Sequence, residues 1–457
     1  MSDTTRIPEG ARAEAAGEPA DPDRARPAAV RPRNDRAPGG VPIAERVLFI
    51  PRMSGSAATC VAAAIRGAGV DARPIPPSDS RTIELGGRHT SGEECFPERA
   101  TLGDILRIVQ DGPIPKERLA FFMPTAPGPC RFGQYAPFLR RVLDSVGAES
   151  VAIVSPTSGS GYDLMGMDSR AVQRASWRAL VAADLLRKAT LRVRPYEIEA
   201  GTTDRLYDRS IDAVCAILET RGATAGETLA KLRSAMDEAA AAFESVPRRS
   251  EDRLRIGVVG EIFCRMNTFS NEEMVRKIEA QGGEAWISDI SEWIYYTNLE
   301  QRRKWIRYAG QTFSLRMLGA YVKEAFQRSD EHALAAPFHA LFEGREEPER
   351  MKIVTDLAEP YLPASGVYGE MVISAGKAVY FWSKGCDGIV DISPFSCMNG
   401  IVSEAVYPKI SRDHDGIPIR IFYFDGTQSH LERDLGIFFE LARTYRKRKE
   451  RAAAGRA

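Results

Sequence analysis

The chain has 457 residues, enough for two or three domains with buried cores. Lysine plus arginine (62) equals aspartate plus glutamate (62), so no net field gathers a polyanion and nucleic acid is not an expected partner. No run of about 18 apolar residues occurs, which leaves no segment that reads as a membrane-spanning helix.

Residues 1–44 are rich in Ala, Pro and Arg and mix Arg24, Arg26 and Arg31 with Glu18, Asp21 and Asp23. They lack the apolar stretch of a signal peptide and are too acidic for a transit peptide, so they read as a disordered leader on a cytoplasmic chain. Order is expected from Arg46 on. Val47–Ile50 reads as a strand, Met53-Ser-Gly-Ser56 as a turn that could hold an anion, and Ala57–Gly67 as a helix. Strands follow at 71–75, 119–123 and 150–154, with helices at 101–110 and 135–143; Thr101 with Asp104 looks like the first helix's cap.

Three long helical patterns fill 177–186, 206–218 and 225–243. A second strand–helix series opens at Arg255-Ile-Gly-Val-Val-Gly260, with a capping box expected at Ser270-Asn-Glu-Glu273 and further strands at 284–287, 388–393 and 417–424. Helices are expected over about 292–346, 367–383 and 431–448. The basic run Arg446–Arg451 reads as a solvated helix end. Alternating strands and helices imply an α/β protein with two doubly wound, parallel-sheet lobes and a helical connector. The expected divisions are a leader (1–44), a first lobe (45–165), a connector (166–250), a second lobe with a helical insert (251–450) and a tail (451–457).

Seven cysteines, an odd number in a chain of this size, do not form a disulfide framework. Doubly wound sheets bind ligands beyond the carboxyl ends of their strands, and that rule ranks the cysteines. Cys130 and Cys397 follow strands and precede helices, and Cys95 is assigned an equivalent strand-to-helix position. Thiols near helix N-termini are expected to have lowered pKa values and to be ready to bind metal. Small loop residues without a shared role are the plain alternative. Cys264 also follows a strand, Cys386 lies at the wrong end of its strand, and Cys60 and Cys215 fall among apolar residues in helices as core. The five histidines, His89, His332, His339, His414 and His430, form no metal spacing. No P-loop and no phosphate loop of the actin/sugar-kinase type is present, so the chain is not expected to bind ATP.

Four stretches carry a resemblance: Gly92-Glu-Glu-Cys-Phe-Pro97, Phe122-Met-Pro-Thr-Ala-Pro-Gly-Pro-Cys-Arg-Phe-Gly-Gln-Tyr135, Gly257-Val-Val-Gly-Glu-Ile-Phe-Cys-Arg-Met-Asn267 and Ile392-Ser-Pro-Phe-Ser-Cys-Met-Asn-Gly400. Together they resemble the activase-associated branch of the 2-hydroxyacyl-CoA dehydratase superfamily, over roughly residues 46–445. The resemblance implies two flavodoxin-like lobes around a [4Fe–4S] or double-cubane cluster. It matches Cys95, Cys130 and Cys397 to cluster ligands. Three thiolates would leave one iron of a cubane open; Cys264, where the family pattern has an aliphatic residue, is the further thiol to weigh.

Arg131, Gln134 and Tyr135 beside Cys130, with Arg265 and Asn267 in the matching loop, are candidates to contact the cluster or an acyl thioester. Glu94 is a candidate proton carrier or cap partner. The implied partners are a separate actin-like, ATP-dependent activase, an acyl-CoA or other small substrate, and a second copy or a dehydratase subunit. Three functions follow: a low-potential iron–sulfur enzyme of anaerobic metabolism, a non-catalytic electron relay or scaffold, or a cluster-free α/β protein.

Overall fold

The structure is a computed structural model that describes residues 41–126, 128–156, 169–310, 314–367, 369–427 and 430–454. Nearly all of the expected leader, the boundary expected at 165/166 and the end of the expected tail lie outside the described residues. So do Pro127 in the Cys130 loop and Tyr368 in the helix expected at 367–383.

The first lobe runs β1 (Val47–Ile50), α1 (Gly55–Gly67), β2 (Ala72–Pro74), α2 (Ser80–His89), α3 (Phe96–Asp111), β3 (Leu119–Phe122), α4 (Tyr135–Ser145) and β4 (Ala152–Val154). Three helices follow: α5 (Ser169–Val193), α6 (Thr202–Leu218) and α7 (Ala225–Ser245). The second lobe opens with β5 (Leu254–Gly260), α8 (Ile262–Met266), α9 (Met274–Ala280), β6 (Gly283–Ile287), α10 (Ile290–Ala309) and α11 (Leu315–Ala335). It closes with α12 (Met351–Ala358), α13 (Glu370–Ser383), β7 (Gly388–Pro394), α14 (Met398–Asp413), β8 (Ile419–Phe424) and α15 (Leu431–Ala454).

Among the described residues the fold is α/β, with two four-stranded sheets. Their orders are β2-β1-β3-β4 and β6-β5-β7-β8, and every pairing is parallel. Both sheets share the flavodoxin-like arrangement, in which the chain reverses direction between the first and third strands of the lobe. Strands β1, β5, β6 and β7 are buried at nearly every position, because helices cover both faces; such strands read as continuous apolar runs. Arg46 ties the amino ends of the first sheet together by donating from its guanidinium to the carbonyls of Leu119 (3.0 Å) and Ser150 (2.7 Å).

Two caps differ from expectation. Helix α3 begins at Phe96 rather than Thr101, because Pro97 is preset for a first helical turn; Cys95 is its N-cap. Asp104 therefore caps nothing. Its carboxylate instead accepts from the Thr82 hydroxyl (2.7 Å) and the Ser78 hydroxyl (2.8 Å), which joins α3 to α2. The Ser270–Glu273 box does not form either. Asn267 accepts from the Ser270 N–H and Asn271 from the Met274 N–H, and the chain turns through left-handed Glu272 and Glu273 before α9.

The basic end of α15 is bound rather than merely solvated. Arg446 donates to the Arg253 carbonyl (3.1 Å) and Lys449 to the Asp387 carboxylate (2.6 Å). No helix among the described residues is long and apolar enough to cross a membrane.

Candidate metal centre

The reversal points of the two sheets lie beyond β1 and β3 in one lobe and beyond β5 and β7 in the other, and the loops leaving these strands meet. Asn267, after β5, donates its side-chain amide to the Arg52 carbonyl after β1 (2.8 Å). Arg131, after β3, donates to the Ser396 carbonyl after β7 (3.0 Å). Gly426, after β8, sits so close to the Phe96 ring that an added Cβ would lie 2.6 Å from it. The carboxyl ends of the two sheets thus face one another, which is where ligands of this architecture bind.

Cys130 is the exposed N-cap of the short turn before α4, and Cys397 is the buried N-cap of α14. Cys95 reaches the same region by another route: α2 stands between β2 and Cys95, so its position is helix-to-helix, not strand-to-helix. Its sulfur is 2.8 Å from the Tyr135 hydroxyl. Cys264, in α8, is fully buried, with Cys397 and Cys95 among the groups that act on it. The carboxylate of Glu261 lies within Coulombic reach of all four thiols and raises the pKa of each. Glu261 thus acts on sulfurs from four separate segments.

The expected lowering of the thiol pKa values does not hold. Burial, aided by Glu261, pushes Cys95 up to about 12 and raises Cys397 and Cys130 above the usual thiol range. In the protein alone these groups are protonated thiols, and loading a metal would displace their protons. Among the described residues no three His, Cys, Asp or Glu side chains stand close enough together to hold a single ion. The donor set fits a cluster better. Soft sulfur donors suit iron–sulfur chemistry, and a cluster, being wider than one ion, spans more distant thiols.

Of the other candidates, Tyr135 is buried against Cys95 and can donate to its sulfur. Arg131 is exposed and bridges two of the cysteine loops, with Glu98 in its field. Gln134 is exposed at the start of α4. Arg265 is buried and donates to the Gly260 carbonyl (3.3 Å), and its charge acts on Glu261, Glu370 and Asp391. Asn267 is committed at both ends, to Arg52 and Ser270, so its role is to hold the loops. Glu94 accepts from the Ser91 and Gly92 backbone N–H groups, as a turn partner does. Cys386 is buried at the amino end of β7, away from these loops.

Sequence reasoning missed the acids. Glu261 accepts from the Phe263 and Cys264 N–H groups, Glu370 accepts from the Ile262 N–H (2.7 Å), and Asp391 accepts from the Ser393 and Tyr407 hydroxyls. Burial raises the pKa of all three. Asp391 left a signal, an acid inside the apolar run Ile389-Val-Asp-Ile392. Glu370 left none.

Glu98, in the first turn of α3, is pushed by burial up to about 7, with Glu94 adding to the rise. It lines a cavity of about 10 Å³ together with Tyr135, room for one water. A raised carboxyl favours folding while protonated: that contribution is full below the ordinary value of 4.5 and is lost as pH rises through about 7. Glu98→Gln is therefore expected to unfold at higher denaturant than wild type above neutrality, by roughly 2–3 kcal/mol, and to show no gain near pH 4. Urea titrations at the two pH values check this.

Gly260 ends β5 at φ +115°, and an added Cβ would meet the Ile392 carbonyl at 2.2 Å. Gly260→Ala is expected to cost roughly 2–3 kcal/mol and to shift the Cys264 loop, read as a lower unfolding midpoint.

Compared with known proteins, the chain matches no family model and no curated protein.

Proposed function

We propose that Cys95, Cys130 and Cys397 hold an iron–sulfur cluster between the two lobes, and that the chain is a redox component like those of 2-hydroxyacyl-CoA dehydratase systems. The observation that carries this reading is the meeting of the three cysteine segments: Arg131, next to Cys130, donates to the carbonyl of Ser396, next to Cys397 (3.0 Å), and the Cys95 sulfur lies 2.8 Å from the hydroxyl of Tyr135. When bound, such a cluster supplies a one-electron carrier and, at an iron without a thiolate, a Lewis acid.

The chain's own residues do the rest. Tyr135 donates its O–H to the Cys95 sulfur, which stabilises the thiolate and tunes the site's potential. Glu98, titrating near neutrality beside a water-sized cavity, holds a proton next to Tyr135 and can release it as charge in the site changes. Arg131 ties the Cys130 loop to the Cys397 loop. The electron comes from a separate ATP-dependent activase, and the substrate class is an acyl-CoA thioester or another small molecule. Both assignments rest on the sequence resemblance.

The second reading is an electron relay or scaffold subunit. The Arg131 bridge favours it, since it narrows the approach to the centre. The electron paramagnetic resonance spectrum of the reduced, cluster-loaded protein separates the two. A spectrum that changes on adding a 2-hydroxyacyl-CoA supports the enzyme. One that stays the same at saturating thioester leaves the relay and rejects the substrate assignment.

A further inference from the structure

Two cysteines that the sequence assigns to separate helix interiors meet in the structure. Cys60 on α1 and Cys215 on α6, 155 residues apart, bring their sulfurs to 3.8 Å. Both are buried, Cys60 fully and Cys215 at 8% exposure, so Cys215 carries what access the pair has.

The helices that carry them are locked together. Ala57, Ala63 and Ala64 of α1 share a core with Leu206, Ile211, Val214 and Leu218 of α6, and small residues let the two backbones come close. At Gly67 the approach is closest: a Cβ there would stand 2.2 Å from the Leu218 carbonyl. Just beyond, Arg66 pairs with Glu219. The Gly67–Leu218 and Arg66–Glu219 contacts hold the two helices together beside the sulfurs, and closing a disulfide needs the sulfurs to approach by roughly 1.8 Å.

We infer that Cys60 and Cys215 form a redox-modification site, a dithiol that a hydroperoxide converts to a disulfide joining the first lobe to the helical connector. The two sulfurs differ in the way such chemistry needs. Cys215 is the less deeply buried sulfur and has the Arg66 guanidinium near it, whereas Cys60 is fully enclosed. Cys215 is thus the attacking thiolate and Cys60 the resolving thiol.

The Cys215 sulfur attacks one peroxide oxygen, the O–O bond breaks, hydroxide leaves and Cys215–SOH remains. The Cys60 sulfur then displaces the hydroxyl from that sulfur, its proton leaving with the hydroxyl as water. In sum, two thiols and one hydrogen peroxide give one disulfide and two waters, with two electrons passing from sulfur to oxygen. The pair lies apart from the cysteines that face Glu261, so the inference does not depend on the proposed cluster.

The test treats the full chain with hydrogen peroxide, unfolds it in an alkylating agent and maps the peptides by mass spectrometry. A Cys60–Cys215 linked peptide, two hydrogens lighter than its halves and abolished by dithiothreitol, is the expected main cross-link. Without reductant, the oxidised chain should also migrate faster than the reduced chain on a denaturing gel. In Cys60→Ala the resolving thiol is gone, and dimedone should trap a sulfenic acid at Cys215. The inference is overturned if both cysteines return as alkylated thiols under conditions that oxidise the exposed Cys130. A dimedone adduct on Cys60 in Cys215→Ala, with none on Cys215 in Cys60→Ala, would overturn the assigned order of attack.

Discussion

Anaerobic reconstitution with iron and sulfide is expected to give a brown wild-type protein and nearly colourless Cys130→Ser and Cys397→Ser variants. Three thiolates are the minimum that secures a cubane, so removing one should cut bound iron by more than about half. Cys95→Ser is expected to lose iron to the same degree. Because the Tyr135 hydroxyl rests on that sulfur at 2.8 Å, Tyr135→Phe should keep its iron but shift the reduction potential. Cys60→Ser and Cys386→Ser should keep the colour, since both lie away from the facing loops. Cys264→Ala is the discriminating variant. A single cubane on three cysteines predicts that it keeps its iron; loss of iron would make Cys264 a ligand and replace the three-cysteine assignment. Visible absorption and iron content read all of these outcomes.

The largest effect on stability is expected at Lys377. Its ammonium group is fully buried in α13, 3.0 Å from the Glu292 carboxylate and paired also with Glu347. Lys188 of α5 joins the same network, 3.0 Å from Glu347 and 2.8 Å from Asp289. Burial pushes Glu347 up, but Lys188 and Lys377 outweigh it and hold the carboxyl below its usual range. Breaking a buried pair strands its partners, so Lys377→Met is expected to cost about 3–5 kcal/mol. With Lys377 gone, Glu292 and Glu347 gain a reason to protonate and their folded pKa values rise. Stability that depends on a protonated acid is present at low pH and lost as pH rises, so the deficit should shrink on acidification. Adding Glu347→Gln should restore part of the loss. Urea unfolding across pH measures all three effects, and a cost below about 1 kcal/mol at neutral pH would contradict them.

Much of the fold is legible because its strands are buried on both faces. Val47–Ile50 and Arg255–Gly260 announce themselves as short apolar runs followed by small residues, and the parallel sheets follow from the helices between them. Helix α2 is not legible in that way. Its sequence Ser-Arg-Thr-Ile-Glu-Leu-Gly-Gly-Arg-His has two glycines and few apolar positions, and only the Asp79–Thr82 capping box marks its start. Overlooking it gave Cys95 a strand-to-helix position that it does not have. The early start of α3 was written in Pro97, a better signal than the Thr101–Asp104 pair.

The candidate site divides in the same way. Cys130 and Cys397 could be ranked because their loops follow central strands, a local fact. The acids around them could not, because Glu261, Glu370 and Asp391 meet only when β5, α13 and β7 pack together. The pairing of Cys60 with Cys215 is likewise invisible at a separation of 155 residues. Burial also reverses the expected sense of the thiol pKa shifts, since desolvation by the folded lobes exceeds the pull of a helix terminus.

Iron K-edge X-ray absorption of the reconstituted chain tests the central claim most directly. Sulfur-dominated first-shell scattering together with an iron–iron distance, retained in Cys264→Ala and lost in Cys130→Ser, is the predicted result. Oxygen and nitrogen scattering alone, unchanged by Cys130→Ser, would show that the facing loops do not assemble a cluster.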